Sequence, residues 1–248
     1  MTDRGEGLQP DVFLRFGPLE KAFFIERPNR FLICGRMAKT GNTVTAHLAD
    51  PGRLRELLVK GAVLYLRRAN APQRKTKWSA VLVEAPNGVL VSLQSTLVNK
   101  LTGIALQKQA LKELNPWRFV RSEFTLGNSR WDFLLEKVEG KKQLILEVKS
   151  VSLVKQGVAL FPDAVTKRGR RHLEELAYLQ EQTDFDTAVL FLVQRSDALK
   201  FRPADDIDPL FGERLRRADH KGVKILVRDC QVTLESVHLG KPLSAELF

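Results

Sequence analysis

Asp132, Glu147 and Lys149 lie within "RWDFLLEKVEGKKQLILEVKS", Arg130 to Ser150, where two apolar runs flank a turn and three charges interrupt them. If Glu139 and Gly140 form a two-residue turn, a single register follows, beginning with Val138 against Lys141. One face then pairs Trp131 with Val148, Phe133 with Leu146 and Leu135 with Leu144, all apolar. The other pairs Leu134 with Ile145, Asp132 with Glu147 and Arg130 with Lys149; a one-residue slip would drive charges into the core. Directly opposed β carbons are roughly 5 Å apart. Two carboxylates at that spacing repel unless a proton or cation lies between them. Such oxygens suit Mg²⁺ or Mn²⁺, with the Val148 carbonyl and waters completing the shell. A neighbouring lysine can orient or deprotonate water, or neutralise charge growing on a phosphoryl group, as metal-assisted phosphodiester cleavage requires. The pattern also reads as a solvated face carrying ordinary cross-strand ion pairs, but Leu134 and Ile145 between the charges argue for partial cover. Glu123, on the preceding strand, is a further candidate carboxylate or a surface salt bridge.

The elements that must hold these residues fall into two textures. Short Val-rich bursts with period two run from "FFIE" at Phe23 to "GVLVSLQS" at Gly88, spaced as in a compact all-β barrel. "ADPGRLRELLVKG" predicts a short helix capped by Asp50, with Leu54, Leu57 and Leu58 on its apolar face. A linking helix over "NKLTGIALQKQALKELNP" ends at Pro116, dividing the chain into 1–115 and 116–248. In the second part, strands near 119–126, 130–138, 143–149, 186–194 and 223–228 alternate with helices from Arg168 and Pro209, giving an α/β domain. Arg170 with Glu174 and Arg171 with Glu175 are spaced to pair across one helical turn.

The chain has a formal charge of +11; residues 1–115 hold 18 Lys and Arg against 9 Asp and Glu, and residues 116–248 hold 22 against 20. The first part is therefore where a polyanion would be attracted. Between Leu57 and Val83 there is no acidic residue, while Lys60, Arg67, Arg68, Arg74, Lys75 and Lys77 accompany Tyr65 and Trp78. Basic side chains with aromatic platforms suit a nucleic-acid-binding barrel; a solvated basic hairpin with two core aromatics is the plainer alternative. In the second part, Arg168 suits a phosphate contact and places a positive entrance on its helix, whereas an isolated histidine such as His172 is more often a structural or surface residue. No helix-turn-helix, zinc finger or basic zipper is evident. No apolar run approaches the roughly 18–20 residues of a membrane span. The amino terminus lacks a secretion pattern, and Cys34 and Cys230 read as buried thiols, so a cytoplasmic location is expected. Nothing indicates a homo-oligomer.

The order of Asp132, then Glu147-Val148-Lys149, resembles the Asp…(Asp/Glu)-x-Lys core of restriction-endonuclease-like proteins. Trp131 stands where that pattern has proline, and the Pro10-Asp11 and Pro162-Asp163 pairs do not precede the Glu-x-Lys strand in the required way. With "NSRWDFLL", "LEVKSVSLV", "ALFPDAVTKRGRRHLEEL", "TAHLADPGRLRELL" and "RKTKWS", the chain resembles the sugar fermentation stimulation protein family over nearly its whole length. The resemblance implies an oligonucleotide-binding-type (OB-like) barrel followed by a nuclease-like domain of the PD-(D/E)xK type with a mixed sheet. It implies a cytoplasmic protein that binds DNA non-specifically and is linked to sugar catabolism, particularly maltose genes. It places candidate metal and catalytic roles on Asp132, Glu147, Lys149 and Glu123, and phosphate contacts on Arg168 and His172. DNA binding is the first expectation and Mg²⁺- or Mn²⁺-dependent cleavage the alternative.

Overall fold

The structure, a computed structural model, describes residues 11–69 and 73–248. The amino-terminal segment read for a secretion pattern, with Pro10, and residues 70–72 of the basic loop lie outside the described residues. A short strand, β1 (Phe13–Arg15), precedes the barrel strands β2 (Glu20–Asn29), β3 (Leu32–Met37), β4 (Thr43–His47), β5 (Val63–Arg68), β6 (Trp78–Glu84) and β7 (Leu90–Ser92). Helix α1 (Leu97–Gln107) leads to β8 (Trp117–Leu126), β9 (Ser129–Lys137), β10 (Gln143–Val151), β11 (Val154–Lys155) and β12 (Val158–Phe161). Then follow α2 (Lys167–Gln182), β13 (Asp186–Val193), β14 (Lys200–Pro203), α3 (Pro209–His220), β15 (Lys224–Val232), β16 (Ser236–Pro242) and β17 (Ser244–Ala245).

The barrel strands run in the order β4-β3-β2-β5-β6-β7, and parallel pairing of Ala46 with Trp78 closes β4 onto β6. Period-two patterning makes this possible: in β5, Leu64 and Leu66 are buried, and they meet Ala22, Phe24 and Ile33 inside. Trp78 packs against that core while remaining half-buried. The helix expected after Asp50 is a turn instead. Asp50 Oδ1 accepts from Gly52 N at 2.8 Å, Asp163 Oδ2 accepts from Arg53 N at 2.6 Å, and Leu54 takes a φ of 51°. Amides that would have started a helix are thus satisfied by carboxylates, one of them from the other domain.

The larger domain holds a seven-stranded mixed sheet ordered β1-β16-β15-β13-β10-β9-β8. Its centre, β10, β13 and β15, is parallel, and β13 is buried along almost its whole length, as a strand covered on both faces must be. On one face α1 contributes Leu101, Ala105 and Leu106 to a core with Phe133, Leu135, Leu146 and Leu190. On the other, α2 and α3 bury Leu173, Leu176, Phe211 and Leu215 against Ile145, Val189 and Phe191. Arg171 pairs with Glu175 as spaced, but Arg170 turns to Asp208 and Glu174 to Arg214, because α3 supplies closer partners.

Two parts of the expected 1–115 unit belong to this sheet. Strand β1 pairs with β16, and α1 packs beneath β8 and β10, so the barrel sits between two pieces of the larger domain. The linking helix also ends early: Gln109 takes a φ of 53°, and Ala110, Leu111 and Leu114 reach the core from the turn beyond it. Cys230 is buried and Cys34 half-buried, and both are free.

Candidate active site

Strands β9 and β10 pair Glu136 with Gln143, Leu135 with Leu144, Leu134 with Ile145 and Phe133 with Leu146, the register set by the apolar pattern. Lys137 N bonds to Lys142 O at 2.9 Å, so the connection is a four-residue bend, without the tight two-residue turn. The ladder stops at Phe133, and Asp132 is paired in neither the β9–β10 nor the β8–β9 ladder. Across β8, Glu123 adopts a φ of 48°, a left-handed conformation that interrupts pairing at the same level. As a result Asp132 and Phe133, though consecutive, line one cavity beside α1. Trp131 is displaced to the opposite face, away from its expected place beside Phe133, and packs on His172 with ring centroids 5.3 Å apart.

Asp132 Oδ2 accepts from Val148 N at 2.7 Å and Oδ1 from Asn99 Nδ2 at 2.6 Å. Glu147, projecting toward α2, is buried; its Oε1 accepts from Lys149 Nζ at 2.5 Å and from His172 Nδ1 at 2.7 Å. An ionised carboxylate only accepts, so the histidine proton lies on Nδ1 and Nε2 faces Arg168 Nε at 3.4 Å. Glu147 Oε2 is buried and has no partner. Burial, then the neighbouring Glu147 charge, pushes Asp132 up to about 6. Burial also opposes ionisation of Glu147, but the His172 hydrogen bond and the Lys149 charge outweigh it and hold that carboxyl below its ordinary range. The pair is thus a negative charge with a second carboxyl reluctant to join it, fed by one orphaned oxygen.

Two carboxylates whose charges act on each other, one with an unpartnered oxygen, are donors that a divalent cation would take. The cation would satisfy Glu147 Oε2 and offset the repulsion that, after burial, raises the Asp132 pKa. Among the described residues no group of three or more His, Cys, Asp or Glu is gathered to hold a metal, so the remaining ligands would be backbone oxygen and water.

Of the other residues singled out in the sequence, Glu123 lies at the rim of the Asp132 cavity, mostly exposed and 3.9 Å from Arg130. His172 is buried against Glu147, so it holds that carboxylate and does not reach out to a phosphate; Arg168 is exposed beside it. Arg67, Arg74 and Lys75 line a trough of about 490 Å³ between barrel and α1. Arg74 is fixed by Ser79 Oγ at 2.9 Å, and burial together with its charge lowers the His47 pKa. Arg68 and Lys77 are exposed outside the trough: Arg68 follows Arg67 on a strand, and successive side chains point to opposite faces.

Sequence reasoning missed Asn99, Lys100 and Arg15. Lys100 and Leu14 line both the trough and the Asp132 cavity, so the two are neighbours that share a wall. Asn99, Gly103 and Gln107 stand four residues apart on α1, a spacing that puts them on one stripe beside the buried one, yet nothing in the chain alone says what that stripe faces.

Residues 25–93 match the family described as SfsA N-terminal OB domain, and residues 96–236 the family described as Sugar fermentation stimulation protein RE domain. The sugar fermentation stimulation protein homolog of Shouchella clausii is 43% identical over 226 residues, 91% of this chain and 97% of that relative. That of Moorella thermoacetica is 42% identical over 230 residues, covering 92% and 97%. Among solved structures, Pyrococcus furiosus SfsA in complex with Ca²⁺ superposes with a TM-score of 0.84 at 27% identity, covering 95% of this chain and 99% of that one.

Proposed function

Because this chain belongs to the sugar fermentation stimulation protein family, we propose that it binds DNA along the barrel trough and cleaves it at Asp132 and Glu147 with a divalent cation. The observation that carries the reading is that the cationic trough and the Asp132 cavity are neighbours, with Lys100 in the lining of both. A strand whose phosphates are neutralised by Arg15, Arg67, Arg74 and Lys75 would be led to the carboxylates. Asp132 and Glu147 would hold the cation, which supplies Lewis acidity and lowers the pKa of a coordinated water. Binding of Ca²⁺ by the Pyrococcus furiosus relative supports a cation at this fold, and Mg²⁺ or Mn²⁺ is the working ion proposed here.

The chain's own contributions follow from its geometry. Asn99 and the Val148 amide fix the Asp132 carboxylate, and His172, held between Trp131 and Arg168, fixes Glu147. Lys149 Nζ shares Glu147 Oε1 with His172, which holds the ammonium beside the carboxylates, where it would neutralise a phosphoryl oxygen or orient water. Arg168, exposed at the same entrance, contacts the strand.

A second reading, DNA binding that influences sugar catabolism without cleavage, is favoured by the absence, among the described residues, of a three-carboxylate or histidine cluster for a metal. Labelled single-stranded, duplex and overhang DNA, incubated with Mg²⁺, Mn²⁺ or chelator, separates the two. Cleavage abolished by chelator and by Asp132→Ala supports the enzyme; equal binding by parent and variant with no cleavage supports the second reading.

A further inference from the structure

The cavity beside Asp132, about 430 Å³, is more apolar than a phosphate site would be. Phosphate is recognised by cations and amides, whereas Leu14, Ile104, Phe119 and Phe133 dominate here, with Gln107 and Ser122 at the rim. Phe133 is buried and Phe119 only half-buried, their rings 6.3 Å apart at 63°, so Phe119 keeps ring surface free for another group. Over Phe133 the helix carries no side chain at all: a Cβ at Gly103 would stand 3.5 Å from the ring, and anything longer would occupy the cavity. Asp132 and Lys100 both line it, and Lys100 is shared with the cationic trough.

An apolar, partly aromatic chamber with hydrogen-bonding groups at its rim, set between a phosphate path and a cation-binding carboxylate, matches one component of a polynucleotide. We propose that it receives a single unpaired nucleobase of a DNA strand, which rests on DNA being the ligand of the trough. The flat faces of the base lie against Phe119 and Ile104, its edge meets Gln107 and Ser122, and the phosphate on its trough side meets Lys100. A base in a duplex must first leave its stack to enter, so single-stranded or frayed DNA is the preferred substrate class.

The test compares binding of the full chain, with chelator present, to an oligothymidylate of about 12 nucleotides and to an abasic deoxyribose-phosphate strand of equal length. The parent should prefer the base-bearing strand by about tenfold, since stacking on an aromatic surface contributes at that level. Gly103→Leu, which fills the chamber and leaves every charge in place, should bind both strands with the abasic affinity. Ile104→Trp fills it from the next helical row and decides the matter if thermal melting shows that Gly103→Leu has not folded. Equal affinity of the parent for both strands, or a full preference kept by a folded variant, overturns the base chamber while leaving DNA binding intact. Failure of the parent to bind either strand overturns DNA binding and the chamber together.

Discussion

Two aspartates in this chain are pushed up to about 6, Asp132 beside α1 and Asp50 at the joint between barrel and larger domain. In both, burial is the leading cause and a neighbouring carboxylate adds to it, and each cluster holds a buried carboxylate oxygen without a partner, Glu147 Oε2 and Glu56 Oε1. Their surroundings differ. Asp132 opens on about 430 Å³ that shares Lys100 with a cationic trough, whereas the space at Asp50 and Asp163 is about 20 Å³. Around Asp50 the negative charge is met by the chain itself: Gly52 N, Arg53 N and Leu54 N donate to Asp50 or Asp163, and Arg27 ties down the Gly52 and Arg53 carbonyls. A Cβ at Gly52 would collide with both aspartates, so the loop must close over them with glycine. Electrostatic tension is therefore common to both, and what separates them is room: Asp132 has space for a ligand, whereas Asp50 lies in a closed joint.

The comparison is broken most directly at the open site. Glu147→Gln should reduce cleavage by about 10³-fold or more and abolish Mn²⁺ binding by calorimetry, with DNA binding unchanged. Undiminished Mn²⁺ binding would mean that the orphaned oxygen is not a ligand atom.

At the joint, the expected effect is on stability and has the opposite sign. A carboxyl whose folded pKa is raised contributes most favourably below its unfolded value near 3.8, and that contribution is lost as pH rises through about 6. Asp50→Asn keeps an acceptor for Gly52 N and removes the charge, so it should stabilise the chain at pH 7.5 by up to about 3 kcal/mol and by under about 1 kcal/mol at pH 4. Urea unfolding at the two pH values checks this, and a loss of stability at pH 7.5 would show that the charge itself holds the joint.

Smaller effects sharpen the open site. His172→Ala should weaken Mn²⁺ binding by about 10–100-fold, since the imidazole only positions Glu147. For the parent, Mn²⁺ affinity should fall about tenfold for each pH unit below about 6, as the proton on Asp132 competes with the cation; an affinity flat from pH 7 to 5 would remove Asp132 from the ligand set.

The hairpin was readable because period-two patterning leaves one register that buries Phe133, Leu135, Leu144 and Leu146 together. What followed from that register stopped at Asp132, since the left-handed turn at Glu123 and the bond from Val148 N depend on packing that no spacing encodes. The helix expected after Asp50 failed for a similar reason: its capping signal is real, but the acceptor for the next amides is Asp163, on the segment entering α2. Pro162-Asp163, set aside as a catalytic pair, is thus part of the joint. Strand β1 is three residues long and gives no periodicity to read, and its partner β16 lies near the other end of the described chain, so the division at 115 could not anticipate it.

That pairing also orders events in time. The ladder partners of the barrel strands lie between Glu20 and Ser92, so the barrel can close early in synthesis. The sheet carrying Asp132 and Glu147 cannot take in β1 until β16 has been made, and Leu14, which lines the cavity beside Asp132, arrives with β1. A nascent chain would therefore present a finished barrel well before it owned a complete cavity beside Asp132, which delays that site until nearly all the described chain exists.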